Sequence, residues 1–107
     1  MILVTGGAGF IGSNLVNELL KNKLPTVICD FNTKINKSYF DNIENVLNFI
    51  EPKDLKSFIC KNKISVIFHL GAISSTTFPD ANHIWYSNIF SSSTIWKLCY
   101  RKKIRLI

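Results

Sequence analysis

The first twelve residues, MILVTGGAGFIG, constrain the fold of this chain more than any other stretch. An apolar run, Ile2–Val4, leads through Thr5 into a cluster of glycines. Such a run suits a strand that is buried on both faces of a parallel sheet. Apolar residues then recur at helical spacing from Phe10 to Leu20, so a helix begins inside the glycine cluster. The opening stretch therefore predicts a strand, a glycine turn and a helix N-terminus.

The glycine spacing fits two versions of a pyrophosphate-binding pattern. Gly7, Gly9 and Gly12 fit G-x-G-x-x-G, whereas Gly6, Gly9 and Gly12 fit the wider G-x-x-G-x-x-G. N–H groups at a helix start lack intrahelical acceptors and carry partial positive charge, which favours an anion. Gly9 lets the backbone approach a pyrophosphate, and Gly12 lets the helix pack on the sheet. Asp30 follows a second apolar run about twenty residues later, where an acid accepts hydrogen bonds from ribose hydroxyls. We therefore expect a dinucleotide site, with an empty structural turn as the alternative.

The apolar patterns of the rest of the chain predict strands and helices in alternation, which extends the prediction to an α/β fold. The predicted elements are a helix over 10–21, a strand over 26–29, a helix over 53–61, a strand over 64–70, a long helix over 81–100 and a strand over 104–107. Residues 39–50 fit either a helix face or a short strand near Val46–Phe49. This alternation indicates a Rossmann-type, doubly wound parallel sheet that reaches about its fifth strand. The residues of the long helix expected to pack inward are Trp85, Ile89, Trp96, Leu98 and Cys99.

The residues that follow the 64–70 strand are expected to face the same crevice as the glycine turn. Gly71 and Ala72 are small enough for a ligand to approach the backbone, and a hydroxyl run, Ser74–Thr77, comes next. His69 ends the buried strand, where a histidine is more often a hydrogen-bonded core group than a catalyst. Asn88 lies in the long helix, from which its amide could anchor a loop or a ribose.

Composition excludes several classes of function. The formal net charge is +6, but the basic residues are dispersed apart from Arg101–Lys103, which suit the dipole at a helix end, so no nucleic acid is expected. Cys29, Cys60 and Cys99 lack metal-ligand spacing and are expected to be free, mostly buried thiols in a reducing cytoplasm. The cysteine spacing therefore gives no reason to expect a metal. No apolar run reaches the ~18 residues of a membrane span, so no membrane is expected either.

The residues after Asp30 leave the choice of dinucleotide open. Asp30 alone favours NAD, because its carboxylate would bind both ribose hydroxyls. Lys34 and Lys37 lie in the polar stretch that follows, and either could pair with a 2′-phosphate, which would make the cofactor NADP. The alternative for both lysines is a solvated loop.

Four pieces of the sequence together carry a family resemblance. MILVTGGAGFIGSNLV, Asp30, VIFHLGAISSTT and Asn88 resemble the extended short-chain dehydrogenase/reductase family of NAD-dependent epimerases and dehydratases. Within it, HLGAISSTT is most similar to the enzymes that epimerise ADP-activated heptoses. The resemblance implies a nucleotide-sugar epimerase, an isomerase of lipopolysaccharide precursor synthesis. It would invert C6″ of an ADP-heptose by transient oxidation and re-reduction with bound NADP or NAD, and would be a homo-oligomer at full length.

The resemblance also implies roles for individual residues. The backbone N–H groups of Phe10 and Ile11 would contact the pyrophosphate, and Asn88 would support the cofactor from the helix. Asp30 and Phe31 would lie beside the adenosine ribose, and Lys37 would lie near a 2′-phosphate, with Lys53 as a weaker candidate. The residues implied along the ribose and phosphate path of the cofactor are Leu70, Gly71, Ala72, Ile73 and Ser74.

The chain departs from the family at Phe31, Leu70 and Phe78, where a polar or acidic residue is usual. Family chemistry also needs a Tyr-x-x-x-Lys pair, and neither Tyr39, Tyr86 nor Tyr100 has a lysine four positions later. We therefore expect residues 1–107 to be the N-terminal part of a dinucleotide-binding domain. The remainder of that domain and the substrate lobe would lie outside the chain, which alone would bind cofactor at most. The alternatives are part of a 4-epimerase or 4,6-dehydratase, or a non-catalytic or defunct module.

Overall fold

Five parallel strands form the centre of the molecule in a computed structural model, which describes residues 1–31, 35–73 and 80–107. The strands are β1 (Ile2–Thr5), β2 (Thr26–Cys29), β3 (Asn48–Ile50), β4 (Val66–His69) and β5 (Arg105–Leu106). Their order in the sheet is β3-β2-β1-β4-β5, and each neighbouring pair is parallel. This order confirms the predicted Rossmann-type fold.

Helices connect the strands. The α-helices are α1 (Phe10–Lys21), α2 (Leu55–Lys61), α3 (Ala81–Trp85) and α4 (Ser91–Lys102), and a π-helical segment, Tyr86–Phe90, joins the last two. Short 3₁₀ turns occur at Lys37–Tyr39, Ile43–Asn45 and Pro52–Asp54. The bounds of α1 and β2 agree with the sequence prediction, and the predicted 81–100 helix is continuous but contains the π-helical segment. Among the described residues, no helix is long and apolar enough to cross a membrane.

The third strand resolves the ambiguity of residues 39–50 in favour of a strand. β3 pairs with β2 through Val27–Asn48 and Cys29–Ile50, and a 3₁₀ turn precedes it rather than a helix. β3 has no fully buried side chain, because it forms one edge of the sheet and contributes only half-buried apolar groups. Its sequence signal is therefore weak.

The sheet separates two apolar clusters, and successive residues of β1 alternate between them. Leu3 points into the cluster beneath α2 and α4, whereas Val4 points into the cluster beneath α1. The first cluster includes Ile59, Ile67, Ile95 and Cys99, and the second includes Val16, Leu20, Ile28 and Phe40. Burial on both faces explains why β1 and β2 are nearly continuous apolar runs.

The long helical stretch buries Cys99 and partly buries Leu98, as expected, but exposes the other three side chains that were predicted to pack inward. Trp85, Ile89 and Trp96 were predicted to pack inward, but their side chains are 54%, 56% and 60% exposed. Ile95 and Cys99, four residues apart, carry the buried stripe instead. The prediction was wrong for these three residues because large apolar side chains at helical spacing occupy both sides of this helix.

Lys102 joins the ends of two helices. Its Nζ donates hydrogen bonds of 2.7 Å to the carbonyl oxygens of both Ile59 and Cys60, at the C-terminus of α2. The 101–103 basic cluster was expected to interact with the dipole at the end of its own helix. For Lys102 the structure shows a second helix as the partner, because α2 and α4 lie side by side on the same face of the sheet.

We predict that Lys102→Met lowers the free energy of unfolding by about 1–2 kcal/mol, because two helix-end carbonyls lose a charged donor. Lys97→Met is the matched control, since Lys97 is an exposed lysine of the same helix, and it should change stability by less than about 0.5 kcal/mol. Urea unfolding followed by circular dichroism measures both values. Equal stability of the two variants would show that the Lys102 bonds contribute nothing.

Candidate functional site

The glycine turn between β1 and α1 forms one wall of a crevice at the carboxyl edge of the sheet. Gly6 has a φ of +69°, and a Cβ placed on it would lie 2.7 Å from the Cα of Gly71, which follows β4. A Cβ on Gly12 would lie 2.7 Å from the Cα of Gly7. These two positions therefore require glycine for the chain to close the turn.

Gly9 is different, because nothing in the fold prevents a side chain there. It is exposed, its φ is −74°, and a Cβ on it would approach only the carbonyl oxygen of Gly6, at 3.3 Å. The absence of a side chain at Gly9 keeps the space in front of the turn open, as a close approach by a ligand requires.

The N-terminus of α1 presents backbone donors to that open space. Gly9 N–H bonds to the Gly6 carbonyl and Ser13 N–H bonds to the Gly9 carbonyl. Within the described parts of the chain, no acceptor meets the N–H groups of Phe10, Ile11 and Gly12, and no side chain caps the helix. The side chains of Phe10 and Ile11 are 86% and 69% exposed. Three unpaired amides at a helix start form an anion site.

Asp30 lies buried beside the turn, at the end of β2. Its Oδ2 accepts the N–H of Ala8 at 3.0 Å, and its Oδ1 accepts the N–H of Phe31 at 2.8 Å. Each carboxylate oxygen has capacity for a further donor, so the predicted contact with ribose hydroxyls is compatible with these bonds. The sequence did not indicate that the same acid also fixes the glycine turn to β2.

The segment after β4 forms the opposite wall of the crevice. Leu70 N–H donates to the Thr5 carbonyl and Gly71 N–H donates to Thr5 Oγ1, at 3.1 and 3.2 Å. Asn88 anchors the end of this segment, since its amide accepts from the N–H of Ile73 at 2.7 Å and donates to the carbonyl of Ile73 at 2.9 Å. These bonds correspond to one of the two roles that the sequence left open for Asn88, the anchoring of a loop. Ala72 is exposed.

Some of the predicted site residues lie outside the described residues. These are Ser74 with the hydroxyl run, and Lys34 in the loop after β2. Phe31 and Lys37 are described, and both are exposed. The structure therefore brings together the glycine turn, Asp30, residues 70–73 and Asn88.

Lys53 is engaged by a carboxylate. Its Nζ lies 2.7 Å from Oε2 of Glu51, and the hydrogen bond and charge of Glu51 raise the pKa of the lysine. Both residues follow β3, on the carboxyl side of the sheet. Lys37, in contrast, has no salt-bridge partner among the residues that the structure describes.

His69 is a paired group, as expected. Its Nδ1 lies 2.6 Å from Thr5 Oγ1, and its Nε2 lies 2.8 Å from Ser92 Oγ. Burial lowers the pKa of His69 below its ordinary value of 6.5. Ser92 escaped the sequence prediction, although its position four residues after Asn88 places the two on one helix face.

Cys29, which precedes Asp30 at the end of β2, is buried. Burial, reinforced by Asp30 and Asp54, raises the pKa of the Cys29 thiol to about 12, so this thiol stays protonated at neutral pH. In the described ranges, no group of three or more His, Cys, Asp or Glu side chains is arranged to hold a metal. A cavity of about 210 Å³ lies away from the glycine turn, lined by residues that include Pro52, Tyr86 and Leu98.

The strand order, the open glycine turn and the buried acid at the end of β2 are features of the class of dinucleotide-binding α/β proteins. The chain belongs to the NAD dependent epimerase/dehydratase family, whose model matches residues 2–107.

Several known proteins are similar to this chain. The ADP-L-glycero-D-manno-heptose-6-epimerase of Brachyspira hyodysenteriae is 38% identical over 113 residues, a match that covers 99% of this chain and 35% of that protein. The structure of UDP-glucose 4-epimerase from Thermotoga maritima, with UDP-glucose, has a TM-score of 0.80 at 24% identity and covers 96% of this chain and 35% of that one. The Thermus thermophilus UDP-glucose 4-epimerase complex with NAD also scores 0.80, at 22% identity, over 98% and 35%. The chain thus spans about a third of the length of these relatives.

We predict that His69 makes stability depend on pH. Because the folded state lowers the pKa of His69, the unfolded chain binds the proton more readily below about pH 6.5. Stability should therefore rise with pH up to about 6.5 and level off above it. In His69→Gln this component should be absent, so the stability difference between the native protein and the variant should grow from pH 5 to pH 7. Urea midpoints across that range measure it, and a constant difference would contradict the prediction.

Proposed function

We propose that residues 1–107 form the N-terminal, dinucleotide-binding part of an ADP-heptose 6-epimerase. The remainder of that domain and the substrate lobe would be supplied by further chain. The single observation that carries the binding function is the set of three unpaired amides at the start of α1, which open onto the space that Gly9 leaves free. The 38% identity to a heptose epimerase supports the choice of substrate class.

The described residues fit a nicotinamide dinucleotide. The N–H groups of Phe10, Ile11 and Gly12 would bind the pyrophosphate. Asp30 and Phe31 would lie beside the adenosine ribose. Residues 70–73, with the adjoining Ser74, would line the path of the cofactor, and Asn88 would hold that segment in place.

We propose NADP as the cofactor, with NAD as the alternative. Lys37 is exposed in the 3₁₀ turn beyond β2, and Asn17 of α1 ties that region down by bonding to the Tyr39 carbonyl and the Asp41 N–H. This tether supports a role for Lys37 at a 2′-phosphate, whereas pairing with Glu51 makes Lys53 the weaker candidate.

The cofactor, when bound, supplies a hydride acceptor and donor for inversion at C6″. The residues of this chain bind and orient it, since the Tyr-x-x-x-Lys pair that serves as acid and base in the family does not occur in the sequence. The same open glycine turn would also serve the second candidate, a dinucleotide-binding module without catalysis. A 4-epimerase or 4,6-dehydratase is the alternative within the enzyme class, because Leu70 and Phe78 replace acids usual in heptose epimerases. We further propose that the full-length enzyme is a cytoplasmic homo-oligomer in lipopolysaccharide precursor synthesis.

We predict that Gly9→Val weakens NADP and NAD binding about a hundredfold or more, because the side chain fills the space that the pyrophosphate needs. The fold should be retained, since a Cβ at Gly9 meets only one atom, at 3.3 Å. Ser57→Val is the matched control, because Ser57 is exposed on α2 and should tolerate the same side chain without loss of binding. Isothermal calorimetry and circular dichroism measure the two quantities, and unchanged affinity in a folded Gly9→Val variant would exclude this binding mode.

We predict that Lys37→Ala weakens NADP binding about tenfold and leaves NAD binding within about twofold, because only NADP carries the 2′-phosphate. Lys63→Ala, at an exposed lysine between α2 and β4, should change neither. Calorimetric titration of each variant with both dinucleotides measures the effect. An equal loss for NAD and NADP would remove Lys37 from the 2′-phosphate site.

A further inference from the structure

The segment after β4 is held from two directions. From the sheet side, Thr5 accepts the N–H of Leu70 with its carbonyl and the N–H of Gly71 with its hydroxyl. From the helix side, the Asn88 amide bonds to both the N–H and the carbonyl of Ile73. Each of these four bonds therefore joins the wall to a residue outside it.

His69 connects the two supports. Its Nδ1 contacts the same Thr5 hydroxyl that accepts the N–H of Gly71, and its Nε2 contacts the hydroxyl of Ser92. Ser92 lies four residues after Asn88 in the continuous helical stretch. One half-buried imidazole thus links the end of β1 to the helix that carries the second support.

The direction of these hydrogen bonds follows from counting protons. Thr5 Oγ1 accepts the Gly71 N–H and has a single proton to donate, for which Nδ1 of His69 is the acceptor. His69 is then neutral, carries its proton on Nε2 and donates it to Ser92. In the reverse arrangement the Thr5 proton has no acceptor among the described residues.

We propose that His69, as the neutral Nε2–H tautomer, is a positioning residue of the dinucleotide crevice. It keeps the Thr5 hydroxyl oriented to receive Gly71, and through Ser92 it holds the helix that anchors Ile73. The wall formed by residues 70–73 is thereby ordered before a ligand enters, which reduces the entropy lost on binding. The affinity part of this proposal rests on the proposed dinucleotide function, whereas the hydrogen-bond chain does not.

The test compares two neighbouring serines of α4. Ser92→Ala removes the partner of Nε2, and Ser92→Thr restores a hydroxyl. Ser93→Ala is the matched control, because among the described residues the Ser93 hydroxyl bonds only to the Phe90 carbonyl, within its own helical stretch. We expect Ser92→Ala to weaken NADP and NAD binding about three- to tenfold, with Ser92→Thr close to the native protein and Ser93→Ala unchanged. Calorimetry provides the affinities, and equal affinity of the two alanine variants would overturn the coupling to binding.

Nitrogen-15 chemical shifts of the His69 ring provide a readout that a purely structural role would not move. At pH 7.5 we expect the Nε2–H tautomer in the native protein and a mixture of tautomers in Ser92→Ala. Hydrogen exchange of the Gly71 amide should also accelerate in Ser92→Ala. A native Nδ1–H tautomer, or unchanged exchange at Gly71, would overturn the hydrogen-bond chain.

The two proposals fail separately. If the native protein binds neither dinucleotide, the proposed function fails, while the tautomer and the Gly71 exchange rate still decide the role of His69. If the native protein binds and Ser92→Ala binds equally well, the positioning role fails and the dinucleotide function stands.

Discussion

The close approach of two backbones at the centre of the sheet is the contact on which the rest of the structure depends. Gly6 and Gly71 follow adjacent strands, and a side chain on Gly6 would collide with the Gly71 backbone at 2.7 Å. Because both residues lack a side chain, the chain leaves β1 and β4 at almost the same point and turns to opposite sides. The crevice is the space left between those two exits, as expected at a topological switch point.

Folding and binding place different demands on the glycines of the turn. Gly6 and Gly12 are required by neighbouring backbone atoms, so they are needed whether or not a ligand is present. A side chain on Gly9 would approach only the Gly6 carbonyl oxygen, so the glycine there is accounted for by what must come close to it. This difference between the glycines strengthens the functional interpretation, because a turn required only for the fold would tolerate a side chain at position 9.

The sequence predicted the sheet well where burial is complete and poorly where it is not. β1 and β2 were placed within a residue, since a strand covered on both faces is an uninterrupted apolar run. The edge strand β3 is half-exposed and gave an ambiguous pattern. The glycine turn and the position of Asp30 at the end of β2 were predictable, because both follow from the spacing of residues along the sequence. The partners of His69 and Lys102 were not, because Ser92 and the α2 carbonyls are brought near only by the tertiary packing of helices.

The exposed side of the long helix has a spectroscopic consequence. Both tryptophans of the protein, Trp85 and Trp96, have more than half of their surface in solvent, and Trp96 stacks on Tyr100 with ring centroids 6.0 Å apart. The fluorescence emission of the native chain is therefore that of solvent-exposed indoles. More of the same polypeptide, or another molecule, could cover this side of the helix. Such a surface would remove solvent from the two indole rings and shift their emission to shorter wavelength. The molecule thus contains its own optical probe for the arrival of a neighbour.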